Sequence, residues 1–385
     1  MAKIEWDKDF ITDEKEFITT YQETGVIGFD LAISNGRGLP VGGCILMYSA
    51  PGSGKSTLCA DIAKRLLDKN EKAGNPYQCL YIDIEGGSKG LALNNGLSKY
   101  VSAEHGRRLI YRRSKRTTWN DVENMFRAIL DKDEHVKDVR LVIIDSISAI
   151  MSETQADLKA DINKGDFGSG AKDRNILFNK YLLELKSKGV SFLLIAQQRQ
   201  KQGASAFEDQ KRAATADGDD HIVDCILKLT RSGGGNNAET KKVEVVSAAT
   251  GEKEKVSTQF FCKIAAPNKN RFCAGLPAVP VLVRIGQGIV NRYTMRNLLE
   301  TNNLLKIGGS AQKRKITISD ELVTFVGGEE PFVQESDLRT TNAWIARNVE
   351  PIKEFLKSRN LYRLIPDVDM LQAQQGQDDT EDDDV

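Results

Sequence analysis

Ser49-Ala50-Pro51-Gly52-Ser53-Gly54-Lys55-Ser56-Thr57 follows an apolar run, Cys44-Ile45-Leu46-Met47-Tyr48, that reads as a buried strand. The segment behind it carries Leu58, Ile62, Ala63 and Leu66, apolar positions at the spacing of one helix face. A Gly-rich turn between a strand and a helix is the context a phosphate-binding loop requires. Small residues let backbone N–H groups curl around a polyphosphate, and the helix N-terminus adds unpaired donors and partial positive charge. Residues 49–57 as a whole are therefore read as nucleotide-binding. Lys55 is placed to reach the β/γ-phosphates, and the Ser56 hydroxyl to ligate Mg²⁺. The first position of the usual pattern is Ser49 rather than Gly, a mild departure. A Gly/Ser turn without a ligand is the bland alternative, disfavoured by the full Gly-Lys-Ser-Thr core between strand and helix.

A chain of 385 residues allows two or three domains and ample core. No apolar run approaches the ~20 residues of a membrane span, and Met1-Ala2-Lys3-Ile4-Glu5-Trp6 lacks a signal-peptide core. Cys44, Cys59, Cys79, Cys225, Cys262 and Cys273 form no CxxC pair and mostly sit in apolar contexts, as reduced thiols of a cytosolic protein do. His105, His135 and His221 make no metal spacing with them, so a zinc site is not expected. The net charge of zero hides an asymmetry. From Leu364 to Val385 there are eight acids and no base, which leaves residues 1–363 at +8. A basic body suggests a polyanionic partner. The acidic tail is either inert solvation or an internal competitor for the basic surface.

Residues 1–24 read as a short amphipathic segment, with Phe10, Phe17, Ile18 and Tyr21 among charges, that packs on the core or on a neighbouring subunit. After a turn-rich stretch over 25–43, strands are expected at 44–49, 78–84, 108–112, 139–145 and 190–196. Helices are expected at 55–68, 119–132 and 173–188. This alternation predicts a mostly parallel sheet with helices on both faces. Runs such as Leu141-Val142-Ile143-Ile144 and Phe192-Leu193-Leu194-Ile195 fit a sheet buried on both sides. Beyond 220 the pattern turns to strands at 222–230, 242–247 and 257–265, with Ala249-Thr250-Gly251-Glu252-Lys253 as a hairpin turn between the last two. From about 290 a smaller α+β module follows, with helices near 293–303 and 337–358 and a Gly-rich turn at Gly308-Gly309. Residues 367–385 are disordered by composition.

Three strand ends carry candidate chemistry. Leu141-Val142-Ile143-Ile144-Asp145-Ser146 ends in Asp145, suited to hold Mg²⁺ beside the loop. Tyr81-Ile82-Asp83-Ile84-Glu85-Gly86 ends in carboxylates at the sheet edge where ligands of open α/β sheets bind. Glu85 is favoured over Asp83 as the base that deprotonates the attacking water, because it lies at the strand's end; a capping carboxylate is the alternative. Phe192–Gln197 ends in Gln197, able to hydrogen-bond a γ-phosphate and pass its presence to the segment 199–217. That segment, with Arg199, Lys201, Phe207, Lys211 and Arg212, is long, polar and without periodicity. A second such stretch, about 153–172, holds Lys164, Phe167 and Lys172. Bases interleaved with an aromatic are the materials of a single-strand-binding loop, and two plain surface loops are the competing reading. Arg107, Arg108, Arg112, Arg113, Lys115 and Arg116 read as a solvated rim first and a phosphate-contacting patch second.

From about Gly25 to about Ile365 the chain resembles the RecA-type recombinases. The lead-in Gly28-Phe29-Asp30-Leu31-Ala32-Ile33 with Gly38-Leu39-Pro40-Val41-Gly42, the strand bearing Glu85, Asp145-Ser146 and Gln197 all resemble that family's motifs. Gly165-Asp166 with Gly170 and Arg174 resembles the end of its first DNA-binding loop and a phosphate-contacting arginine. Lys263-Ile264-Ala265-Ala266-Pro267 resembles the segment that presents lysine to ATP bound in the adjacent subunit, so the resemblance gives Lys263 a catalytic role in trans. Phe261 stands where the family has a second lysine. Gly286-Gln287-Gly288-Ile289 resembles the junction into a small C-terminal domain, and the acidic tail resembles a regulatory tail. The phosphate loop is spelled differently from the bacterial one, and Lys89 and Ala92 stand where adenine-clasping residues would be. These departures suit a divergent member of the kind a phage encodes.

The resemblance implies an α/β, RecA-like P-loop ATPase core over 25–288, preceded by an oligomerisation segment (1–24). A small α+β domain (289–366) and an acidic disordered tail (367–385) follow. It implies ATP and Mg²⁺ as cofactors, and Lys164, Phe167, Lys172, Arg174, Arg199, Lys201, Phe207, Lys211 and Arg212 as DNA-binding residues. The expected partners are single-stranded and double-stranded DNA, further copies in a helical filament, and single-strand-binding or loader proteins, with no membrane. The expected activity is DNA-stimulated ATP hydrolysis with homologous pairing and strand exchange, in the cytoplasm. A hexameric helicase or repair motor on the same core fold is the alternative. A GTPase is disfavoured, since Asn268-Lys269-Asn270-Arg271 lacks the Asp of a guanine-reading motif.

Overall fold

The computed structural model describes residues 19–86, 95–114, 116–153, 169–200, 211–213, 222–232, 242–246, 253–257, 259–310, 313–327 and 338–365. The expected N-terminal segment, apart from its last residues, and the acidic tail lie outside these. The chain enters through β1 (Tyr21–Gln22), α1 (Ile27–Ser34) and β2 (Leu39–Pro40). An alternating series follows: β3 (Cys44–Ser49), α2 (Lys55–Lys72), β4 (Gln78–Asp83), β5 (Leu109–Arg113), α3 (Trp119–Leu130), β6 (Val139–Asp145), α4 (Ser169–Ser187) and β7 (Ser191–Gln200). Then come β8 (Lys211–Ala213), β9 (Cys225–Arg231), β10 (Lys242–Val246), β11 (Lys253–Ser257), β12 (Gln259–Asn270), β13 (Val279–Arg284) and β14 (Gly288–Ile289). The C-terminal elements are α5 (Asn291–Thr301), β15 (Leu305–Ser310), β16 (Lys313–Ile318), α6 (Asp320–Val326), α7 (Leu338–Arg347) and α8 (Val349–Ser358).

The main sheet runs β14-β13-β12-β9-β3-β7-β6-β4-β5, with β8 paired to β7. From β9 to β5 every pairing is parallel. The β12, β13 and β14 pairings are antiparallel. This is the mixed α/β fold that the alternation predicts. The continuous apolar strands are buried on both faces because successive side chains point to opposite sides. On β3, Ile45 and Met47 join one core cluster with Leu58, Ile62 and Leu66 of α2, while Leu46 and Tyr48 join the other with Phe126 of α3 and Phe178 of α4. Burying each such side chain is worth about 1.5–3 kcal/mol over leaving it in water. α3 begins with a complete capping box: Thr118 accepts from the Asp121 N–H, and the Asp121 carboxylate accepts from the Thr118 N–H. That box contributes about 1 kcal/mol.

Four expectations need correction. The hairpin partner of 242–246 is β11, Lys253–Ser257, in register Lys242↔Ser257, while 259–270 is a separate long strand that rejoins the main sheet between β9 and β13. Gly308 and Gly309 are strand residues of β15, opposite Lys315 and Arg314, rather than a turn. The helix expected over 337–358 is two helices divided at Asn348. Pro351 has no N–H to bond back to residue 347, so the helix restarts, with proline tolerated in the new first turn. Segment 199–217 is not loop throughout: β7 continues to Gln200, and Arg199↔Arg212 pairs it with β8.

The join near residue 288 is fixed to α2. Asp61 Oδ2 accepts from the Ile289 N–H at 2.8 Å, and Arg65 donates to the Ile289 carbonyl at 3.1 Å. Gly288 sits at φ +108, where a Cβ would lie 2.5 Å from the Asp61 carboxyl carbon, so glycine is required. Met295 and Leu298 of α5 and Ile345 of α7 lie in the same apolar cluster as α2.

Candidate active site

The loop between β3 and α2 lies against the antiparallel strands. Gly54 takes φ +90, and a Cβ on it would stand 3.3 Å from the Phe260 ring and 3.4 Å from the Val283 methyls. Glycine therefore serves two needs there, a left-handed turn and close packing. α2 starts without a side-chain cap, so no capping side chain occupies its N-terminal donors. The Lys55 ammonium folds back over the loop, donating to Ser49 Oγ at 2.9 Å, the Ser49 carbonyl at 3.2 Å and the Ala50 carbonyl at 3.4 Å. Burial lowers its pKa, with the Asp145 and Glu85 carboxylates opposing that shift.

The parallel register brings the strand ends to one edge. Asp83 stands level with Asp145, Asp145 with Ile195, and Ser49 with Gln197. The cleft there has a volume of about 340 Å³ and is lined by residues 51–57 with Glu85, Asp145, Ile195, Gln197, Phe260 and Ile285. Asp145 is buried and accepts from the Tyr81 hydroxyl at 3.4 Å. The Asp145–Ser146 peptide is cis. Glu85 is exposed to the cleft, and its Oε1 accepts from Ser146 Oγ at 2.7 Å and from Gln197 Nε2 at 3.1 Å. Asp83 is wholly buried and accepts from the Gly86 N–H at 2.8 Å and the Tyr111 hydroxyl at 2.5 Å. The two carboxylates thus divide, Asp83 into the turn and Glu85 into the cleft.

This donor set fits a magnesium-bound nucleoside triphosphate. The glycine turn and uncapped helix end suit phosphate oxygens, and Lys55 supplies a cation. The Ser56 hydroxyl with the Asp145 carboxylate offers the hard oxygen ligands that Mg²⁺ takes. Among the described residues lining the cleft, Lys55 is the one cation.

Lys263 is not in that cleft. On β12, Phe260, Cys262 and Ile264 turn into the core, and Lys263 is exposed on the opposite face. Of the DNA-binding expectations, Lys172 is exposed but lies on α4 rather than in a loop. Arg174 is also on α4, 5% exposed, with its guanidinium 6.0 Å from the Trp119 ring centroid. Arg199 is exposed on β7, and Lys211 and Arg212 are on β8 opposite it. Lys164, Phe167, Lys201 and Phe207 lie outside the described residues, as do Lys89 and Ala92. In the arginine cluster, Arg112 pairs with Asp121 at 3.0 Å and Arg108 donates to the Asn75 carbonyl at 2.7 Å, as a solvated rim does.

Sequence reasoning missed Phe260 and Ile285 as cleft walls and Ser146 as a partner of Glu85. The neighbouring Asp145 was the only local signal for Ser146, and none existed for the two walls.

A family model described as an AAA domain matches residues 35–165. The match covers about a third of the chain and takes in the phosphate loop, Glu85 and Asp145; it ends before Gln197 and Lys263. No curated protein sequence matches the chain. No helix among the described residues is long and apolar enough to cross a membrane. The sheet, the loop and the matched domain together describe a P-loop ATPase core.

Proposed function

We propose that the protein is an ATP-dependent DNA recombinase that assembles on single-stranded DNA, pairs it with homologous duplex and exchanges strands. ATP with Mg²⁺ supplies the phosphoryl group whose transfer to water drives release and turnover. Lys55 and the α2 N-terminus hold the phosphates, Ser56 and Asp145 hold the metal, and Glu85 orients a water and accepts its proton. In this reading Gln197 senses the γ-phosphate, and the strand it lies on also carries Arg199.

The observation that carries this reading is the placement of Lys263. A cleft whose described lining holds one cation, with a lysine exposed on the far face of the same sheet, suits a nucleotide completed by a neighbouring copy. A cation supplied across an interface stabilises charge on the transferred phosphoryl group and makes hydrolysis depend on assembly. The RecA-type resemblance of Lys263–Pro267 supports a recombinase over other assemblies on this core. DNA contact through phosphates and stacking predicts sequence-tolerant, salt-sensitive binding. Electron microscopy with single-stranded DNA and a slowly hydrolysed ATP analogue, joined to a strand-exchange assay, tests the proposal. Extended helical filaments and exchanged strands are expected. Closed rings without exchange would instead establish a helicase-type motor.

A further inference from the structure

Glu85 is a flexible side chain at an exposed strand end, and a general base works only when one carboxylate oxygen is held toward its water. Two donors hold it here, and both act on the same oxygen. Ser146 Oγ donates to Oε1 at 2.7 Å and Gln197 Nε2 donates to Oε1 at 3.1 Å, while Oε2 accepts from none of the described residues. The donors differ in kind. Ser146 is 1% exposed and has one side-chain torsion. Its carbonyl accepts from the Ala149 N–H at 3.1 Å in the turn that follows β6. Gln197 is exposed, longer and freer to turn.

We propose that Ser146 is the positioning residue for Glu85, the fixed donor that keeps Oε1 oriented when the Gln197 amide turns toward a γ-phosphate. This rests on the ATPase reading above. The exposed Gln197 side chain is free to turn toward a phosphate, but a hydroxyl buried at the end of β6 cannot follow the nucleotide. Ser146 therefore leaves Oε2 as the oxygen that takes the proton from water, in both positions of Gln197.

The test uses the full chain. Ser146→Ala is expected to lower kcat about 100-fold, the scale of a displaced catalytic group, with KM for ATP within about twofold. Ser146→Thr, which keeps the hydroxyl, should retain more activity than Ser146→Ala. The second readout needs no nucleotide. Ser146→Ala should lower the unfolding temperature of the wild-type protein and cause no further drop when Glu85 is already Ala. An unchanged kcat would overturn the proposal. So would the same drop in both backgrounds, because Ser146 would then act through packing alone. Wild-type protein without ATPase activity would sink the proposed function and leave the thermal coupling of Ser146 with Glu85 to be judged by itself.

Discussion

The inner strands β3, β4, β6 and β7 are buried on both faces and end together in polar groups, whereas β12 buries Phe260, Cys262 and Ile264 on one face and leaves Lys263 and Pro267 exposed. The first region needs nothing beyond its own register to build a phosphate loop, a metal carboxylate and a base. The second supports that loop from behind, through Phe260 and Val283, and offers a cation that its own cleft does not use. Under the function proposed above, that spare charge serves the cleft of a neighbouring copy. Separate substitutions in the two halves should therefore fail in different ways.

The largest effect belongs to the parallel half. Lys55→Ala removes the cleft's own cation and should reduce ATP hydrolysis by on the order of 10³-fold or more, with nucleotide affinity lost as well. Near-normal binding of a fluorescent ATP analogue would break the phosphate-loop assignment. Glu85→Gln keeps shape and removes the base, so hydrolysis should slow by about 10³-fold while ATP-dependent DNA binding persists. Loss of nucleotide binding itself would move Glu85 to a structural role.

Lys263→Ala tests the antiparallel half. Nucleotide binding by isolated subunits should be unchanged, and hydrolysis in the assembled, DNA-bound state should fall by about 100-fold. Because the side chain is exposed and makes no core contact, folding stability should move by less than about 0.5 kcal/mol. An equal loss at protein concentrations too low for assembly would place Lys263 in its own subunit's chemistry.

The same contrast explains what could be read from the sequence. The parallel half is written locally: apolar runs, a Gly-Lys-Ser-Thr turn and carboxylates at strand ends sit within a few residues of each other. Their meeting also follows from parallel register, which aligns strand ends. Ser146, Gln197 and Glu85 converge on one oxygen from three strands, and no local pattern encodes which donor reaches it. Phe260 reads as one more core aromatic until β12 returns beside the loop. Arg174 is tied to a loop end only by the family resemblance, since the periodicity over 173–188 already puts it on the helix that begins at Ser169. The second strand of hairpin β10–β11 is hidden in the sequence because the polar, charged Lys253–Ser257 carries no apolar alternation to mark it.

The smallest effect concerns how the antiparallel half is held. α1 packs on β12 and β13, with Gly28 against Val281 and Thr294. Asp30 of α1 is buried and accepts from the Thr24 N–H at 3.2 Å and the Thr24 hydroxyl at 2.7 Å. Burial pushes the Asp30 carboxyl up to about 7 from its ordinary 3.8, with donation from Thr24 opposing the shift. Below about pH 4 both folded and unfolded chains bind this proton. Between about pH 4 and 7 only the folded chain does, so stability falls as pH rises through that window, by at most ~1.4 kcal/mol per pH unit, and levels off above it. Asp30→Asn removes the titration and should flatten that slope. Hydrogen exchange should show the change in β12 and β13, next to α1, and leave β6 and β7 as they were. A slope unaltered by the substitution would mean that Asp30 is ionised in the fold, with Thr24 donation outweighing burial. An equal change in β6 and β7 would mean that the two halves of the sheet open together.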